Sequence, residues 1–299
     1  MSIRRELICR ELVRRELIMD TLVTIRVARP GAEDAIHRAF TWFHEIEACC
    51  TRFDPHSELM QLTSRIGVPV PVSPVLFQCV QFAVKLAEET EGAFDPAIGH
   101  RMESLGYNRE YRSGRIIHTG IAPGDAVTFR DLHLDPRSSS IELRRPLILD
   151  LGAVAKGLAI DMAAQELQPF ADFCIDAGGD LYLGGRNEEG APWRVGIRDP
   201  RDPDSIIQTL HASSQAVCTS GDYERGRHIL DPRTGQPAAS AASVTVVAPN
   251  ALLADALSTA AFVLGPRDGL ALLERMGVEG MLITPESDMY QTRGLPRAA

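Results

Sequence analysis

A chain of 299 residues, 44% hydrophobic and 24% charged, has apolar material for one large domain or two modest ones. Its formal net charge of −9, with no basic stripe interleaved with aromatics, argues against nonspecific nucleic-acid binding. The six cysteines show no CxxC, zinc or iron–sulfur spacing, which predicts free thiols in a reducing compartment. The first seven residues, Met1 to Leu7, are charged throughout and no run of eighteen apolar residues follows. No signal peptide or membrane anchor is therefore expected, and the expected location is cytoplasmic.

Residues 1–18 mix Arg, Glu and Leu and read as a lead-in, either a short helix or irregular chain. Alternation predicts a first strand over 22–27. After Arg29-Pro30-Gly31, Ala35, Ile36, Phe40, Phe43, Ile46 and Cys50 recur at helical spacing over 32–50. A short helix follows, with Ser57 or Asp54 available as its cap, and a second amphipathic helix over 75–90 stops at Glu91-Gly92. A polar, Arg-rich stretch then leads to short strands near 127–134 and 141–143. The apolar run Leu147-Ile148-Leu149 predicts a buried strand, with a Gly/Ala turn and a helix from about Lys156 to Leu167.

Residues 173–184 read as a strand broken by Gly178-Gly179, and 193–200 as another. Alternation continues at 206–210 and 216–219. The tail predicts a strand over 243–248, helices over 251–264 and 267–276, and a last strand over 280–284. Strands and helices alternate irregularly with several hairpin-like pairs, which favours α+β over a doubly wound parallel sheet.

Four local patterns carry chemistry-bearing side chains. Asp150 and Lys156 flank a turn of small residues that would let main chain approach a ligand. Lys156 is one of only two lysines in an arginine-using chain, so a compact point charge is wanted there. The GxxxxGK[ST] phosphate loop is absent. Asp255 and Thr259, four apart, share a helix face where their oxygens could hold a hard cation such as magnesium; taken alone, a capping Asp and a back-bonding Thr is the better reading. His228 can titrate near neutrality, although a histidine before a turn such as Asp231-Pro232-Arg233-Thr234-Gly235 is commonly structural. Glycines before Phe94-Asp95 and before Asp180 make turns or ligand cradles.

Seven ordered blocks carry a wider resemblance: GAFDPAIG (92–99), LDLGAVAKGLAID (149–161), DAGGDLYLGG (176–185), PWRVGIRDP (192–200), TSGDYER (219–225), HILDPRTGQP (228–237) and DALSTAAFVLG (255–265). Over roughly 19–284 the chain resembles the ApbE family, the FAD:protein FMN transferases. The resemblance implies an α+β, T-fold-related architecture of mixed and antiparallel sheets packed with helices, with FAD in a cleft between sub-regions. It implies one such domain over 19–299 behind the lead-in.

The implied activity is magnesium-dependent transfer of FMN from FAD to a Thr or Ser hydroxyl of a target flavoprotein, releasing AMP. The Ala153 carbonyl, Asp255 and Thr259 correspond to the metal ligands. Met19, Phe53, Ala93, Phe94, Asp95, Asp150, Lys156 and Ile229 correspond to FAD-contacting positions, and His228 to the general base. Two alternatives stay open: an FAD pyrophosphatase giving FMN and AMP, and a non-catalytic FAD-binding protein. The chain departs from the family's pattern in Met19-Asp20-Thr21, where Met-Gly-Thr is common, in Phe53, where a Tyr is usual, and across 103–108.

Overall fold

The computed structural model describes residues 11–109, 114–121, 127–222, 226 and 228–296. Strand β1 (Leu12–Ile18) folds back on β2 (Thr21–Val27), with Ile18 opposite Thr21. The two linking residues, Met19 (φ 53°) and Asp20 (φ 59°), are both left-handed, as a two-residue turn matching the strand twist requires. Glycine would take the second position without strain, which gives the family's Met-Gly-Thr a backbone reason; here an Asp tolerates it. Leu12–Ile18 is thus a paired strand rather than a lead-in, and residues 1–10 lie outside the described residues.

Helix α1 (Glu33–Cys50) buries the predicted face, Ala35, Ile36, Phe40, Phe43, Ile46 and Cys50, together with Ala39. Helix α2 (Glu58–Thr63) starts at Ser57, whose hydroxyl accepts the Met60 N–H. Strand β3 (Val70–Pro71), helix α3 (Pro74–Glu89) and the short helix α4 (Gly99–Ser104) follow. Strands β4 (Leu132–Asp135) and β5 (Ser140–Leu143) join β3 in a small sheet of order β3-β5-β4.

Helix α5 (Gly152–Leu167) begins four residues earlier than the sequence predicts. The reason is Asp150, whose Oδ1 accepts the N–H of Gly152 at 2.9 Å and so satisfies the first helical donor. The run 147–149 joins no sheet. It is held by single bonds to the segment before it: Gly99 N–H to Ile148 O at 3.1 Å and Asp150 N–H to Pro96 O at 2.8 Å.

Strands β6 (Phe173–Ala177) and β7 (Asp180–Gly184) form a hairpin through Gly178 (φ 67°) and Gly179 (φ 94°); a Cβ on Gly178 would collide with the Thr21 hydroxyl. Strands β8 (Trp193–Asp199) and β9 (Asp202–Ala212) form a separate hairpin. Then come β10 (Gln215–Gly221), the small pair β11 (Leu230–Asp231) and β12 (Gln236–Pro237), and β13 (Ser243–Ala248). Helix α6 (Ala251–Arg275) breaks at Gly265 (φ 78°, ψ −173°) before Pro266, the point that separates the two helices read from sequence. Strands β14 (Glu279–Ile283) and β15 (Met289–Gln291) finish the chain.

The main sheet has the order β1-β2-β6-β7-β10-β13-β14-β15, with every neighbouring pair antiparallel. Its two faces are sorted by period-2 alternation. Ala216 and Cys218 of β10 join the core under α1, α5 and α6, while Val217 joins Leu183, Ile197 and Leu210 beneath the β8–β9 hairpin. The result is α+β, as expected. Among the described residues the cysteines are free thiols, and no helix is long and apolar enough to cross a membrane.

Candidate active site

Helices α5 and α6 meet at very close range. A Cβ on Gly157 would stand 2.6 Å from Ala251 O and 2.7 Å from Leu252 Cα, so only glycine allows this crossing. The first turn of α6 is then tied to α5. Asn250 Oδ1 accepts the Leu253 N–H, and the Asp161 carboxylate takes those of Ala251 (2.6 Å) and Leu252 (2.9 Å). Burial lifts Asp161 to about 6, against those two donors and with Asp255 adding to the rise. The anchoring fixes where Asp255, one turn further on, faces Lys156.

A cluster of opposite charges results. Lys156 Nζ contacts Asp180 Oδ2 directly and lies 3.5 Å from Asp255 Oδ2. Asp180 sits at the first position of β7, set there by the glycine turn, and its Oδ1 accepts the Thr219 N–H at 2.9 Å. Asp255 is 6% exposed, yet its Oδ2 is buried with no hydrogen-bond partner among the described residues. Next to it, hydroxyls form a chain: Ser220 Oγ lies 2.7 Å from Ser258 Oγ and 3.0 Å from Thr259 Oγ1. Ala153 lies in the first turn of α5, four residues before the Gly157 contact and so on the side facing α6.

These groups fit a hard cation. A carbonyl, one carboxylate with an unsatisfied buried oxygen and a hydroxyl are the oxygen donors magnesium prefers, and magnesium retains water or substrate phosphate at its other positions. Among the described residues no group of three or more His, Cys, Asp or Glu could hold a metal by itself. Any ion here would therefore depend on the carbonyl and the hydroxyl.

A second group surrounds Asp150. Arg52 Nε donates to its Oδ2 at 2.6 Å while Gly152 N–H holds Oδ1. Burial pushes this carboxyl up, but the Arg52 guanidinium, the Gly152 N–H and nearby His228 outweigh it and hold it below the usual carboxylate range. Arg52 also donates through Nη2 to Tyr107 O and stacks over the Phe53 ring at 4.3 Å. His228 Nδ1 lies 2.9 Å from Gly226 O. A carbonyl only accepts, so Nδ1 carries a proton.

The GAFD block arrives by backbone. Phe94 N–H is held by Thr90 Oγ1 at 3.1 Å, and Asp95 Oδ1 and Oδ2 accept from Ala97 (2.8 Å) and Phe129 (3.1 Å). Ala93, Phe94 and Asp95 are buried, and Pro96 O meets the Asp150 N–H, so the two blocks are contiguous. Ile229 is buried, its carbonyl accepting the Ala238 N–H. A Cβ on Gly235, in the same turn, would meet Arg101 Nη1 at 2.9 Å, so the turn packs on α4.

The structure thus brings Lys156, Asp255 and Thr259 into one cluster, and Asp150, Phe53 and His228 into a second that is continuous with Ala93–Asp95. Met19 is tied to α1, its N–H donating to Glu47 Oε1 at 2.8 Å. A groove of about 630 Å³ on the opposite face of the sheet, under β8, has Asp20, Thr21, Gly178, Gly179 and Thr219 among its lining residues and none of the two clusters. Tyr223, Glu224 and Arg225 of the TSGDYER block lie outside the described residues. Asp180, Ser220 and Arg52 join these groups although none was a predicted site residue; Asp180 and Ser220 lie in the DAGGDLYLGG and TSGDYER blocks, and Arg52 lies in none.

An antiparallel sheet backed by helices, with a lysine–carboxylate–hydroxyl cluster at the crossing of two of them, defines an α+β protein with a charged site at a helix crossing. The chain belongs to the ApbE family, whose model, described as "ApbE family", matches residues 19–282. It is 33% identical to an FAD:protein FMN transferase of Treponema pallidum, covering 96% of this chain and 88% of that one. It is 32% identical to an FAD:protein FMN transferase of Escherichia coli K12, covering 75% of this chain and 69% of the other. The crystal structure of the ApbE protein of Thermotoga maritima superposes with a TM-score of 0.83 at 28% identity, covering 95% of this chain and 97% of that one.

Proposed function

We propose that this chain transfers the FMN portion of FAD to a Thr or Ser hydroxyl of an acceptor protein, releasing AMP, with magnesium as its metal. The observation that carries this reading is the buried Asp255 oxygen beside Lys156 that has no hydrogen-bond partner among the described residues, in a chain whose relatives are called FAD:protein FMN transferases. The acceptor oxygen bonds to the FMN phosphorus as the bond from that phosphorus to the bridging pyrophosphate oxygen breaks. AMP leaves with the bridging oxygen. His228 takes the hydroxyl proton at Nε2, and Lys156 lends its charge to the pyrophosphate.

Magnesium, held by the Ala153 carbonyl, Asp255 and Thr259, would supply charge neutralisation at the phosphates. Asp180 keeps Lys156 in place. Asp150, Phe53, Ala93, Phe94, Asp95, Ile229 and Met19 line the flavin nucleotide's path. Incubation with FAD and magnesium, with and without proteins carrying candidate Ser/Thr sites, followed by intact-mass and nucleotide analysis, tests the reading. An FMN-sized mass gain on the acceptor with matching AMP supports it. Free FMN with AMP but no labelled protein would replace transfer by hydrolysis, and FAD left intact in every arm would overturn both.

A further inference from the structure

Arg52 follows the C-cap of α1 and is 8% exposed, an expensive place for a charge unless every face of it is used. Every face is used. Nε bonds Asp150 Oδ2 at 2.6 Å, Nη2 bonds Tyr107 O, and the guanidinium plane covers the Phe53 ring at 4.3 Å. The three partners come from separate parts of the chain: the segment after α1, the turn after α4 and the segment leading into α5. Asp150 in turn is gripped from the other side by Gly152 N–H, and its own N–H is fixed on Pro96 O.

We infer that Arg52 is a positioning residue for the nucleotide site: it orients the Asp150 carboxylate and sets the Phe53 ring beside it as one unit. The inference rests on the reading of Asp150 and Phe53 as FAD contacts, and it adds a residue that touches neither FAD nor metal in that reading. The planar fork matters. A guanidinium reaches the carboxylate, the carbonyl and the ring face at once, whereas a lysine ammonium reaches one partner at a time. Residues that orient a ligand-binding group through a hydrogen bond typically contribute 10–100-fold to affinity or activity, and Arg52 has that relation to Asp150.

The test uses the full chain with FAD as the probe, measuring flavin binding by fluorescence together with KM and kcat for AMP release. Arg52→Gln is expected to weaken FAD binding about 10–100-fold and raise KM for FAD, with kcat held within about threefold. Arg52→Lys should recover part of that loss. Arg52→Gln combined with Asp150→Asn should bind FAD no worse than Asp150→Asn alone, because the arginine acts through the carboxylate. Parental FAD affinity in Arg52→Gln, multiplying losses in the double variant, or a kcat that falls as far as KM rises would each overturn the inference. If Arg52→Gln does not fold, Arg52→Lys decides: affinity severalfold below the parent supports the role and parental affinity refutes it. A parent chain that binds no FAD would sink the transfer reading itself, and this role with it.

Discussion

Asp150 and Asp255 are two mostly buried carboxylates that each face a cation, and they are in opposite states. Asp150 has a donor on each oxygen, Arg52 on one and Gly152 N–H on the other. Asp255 shares Lys156 with Asp180, which holds the closer contact, and one of its oxygens is buried with no hydrogen bond among the described residues. A buried polar atom without a hydrogen bond costs about 1–3 kcal/mol, so Asp255 is the more weakly compensated of the two. The first carboxylate is fixed by a donor on each oxygen, whereas the second only shares a lysine.

That contrast can be broken in order of effect. Asp255→Ala should abolish magnesium-dependent AMP release while leaving the chain folded, read by nucleotide analysis beside circular dichroism; full activity would remove Asp255 from the metal set. His228→Ala should keep FAD binding and lose roughly 10²–10⁴-fold in transfer rate, the usual contribution of a general base. An unchanged rate excludes it. Stability should then separate the two carboxylates themselves. Asp150→Ala strands the Arg52 charge and should cost about 3 kcal/mol, while Asp255→Ala removes an already unsatisfied group and should cost about 1 kcal/mol or less. Denaturant midpoints decide it, and equal losses would erase the distinction.

How much of this could be read from residue order depends on how local the cause is. The helix face of α1, the strand over 243–248 and the break at Gly265-Pro266 each rest on neighbouring residues, and each was legible. Strand β1 was not. It is an edge strand whose Arg14, Arg15 and Glu16 are all exposed, so charge covers both faces and the alternation disappears. The run 147–149 looked like a strand because burial makes any segment apolar, yet its backbone bonds go to Gly99 and Pro96. At the site, Lys156 announced itself by rarity and Asp255 by its spacing to Thr259. Arg52 meets Asp150 across 98 residues, and no periodicity records such a pairing.

The smallest effect concerns the surroundings of Asp150, through Asp95. Burial raises its carboxyl to about 6 even though Ala97 and Phe129 donate to it. A carboxyl whose folded pKa exceeds its unfolded value binds more protons when folded, so stability falls as pH rises between about 4 and 6. The full loss from this group is at most about 3 kcal/mol, complete once the pH is above the folded value. Asp161 is raised to about 6 by the same cause and adds a parallel slope. Asp95→Asn should therefore flatten the dependence without abolishing it, at a cost of about 1 kcal/mol for the acceptor lost to Phe129. Unfolding by denaturant at pH 4.5 and 6.5 measures the difference directly. A variant as pH-dependent as the parent would mean that Asp95 is solvated well enough to ionise freely, and that the GAFD wall stands open to water where it meets Asp150.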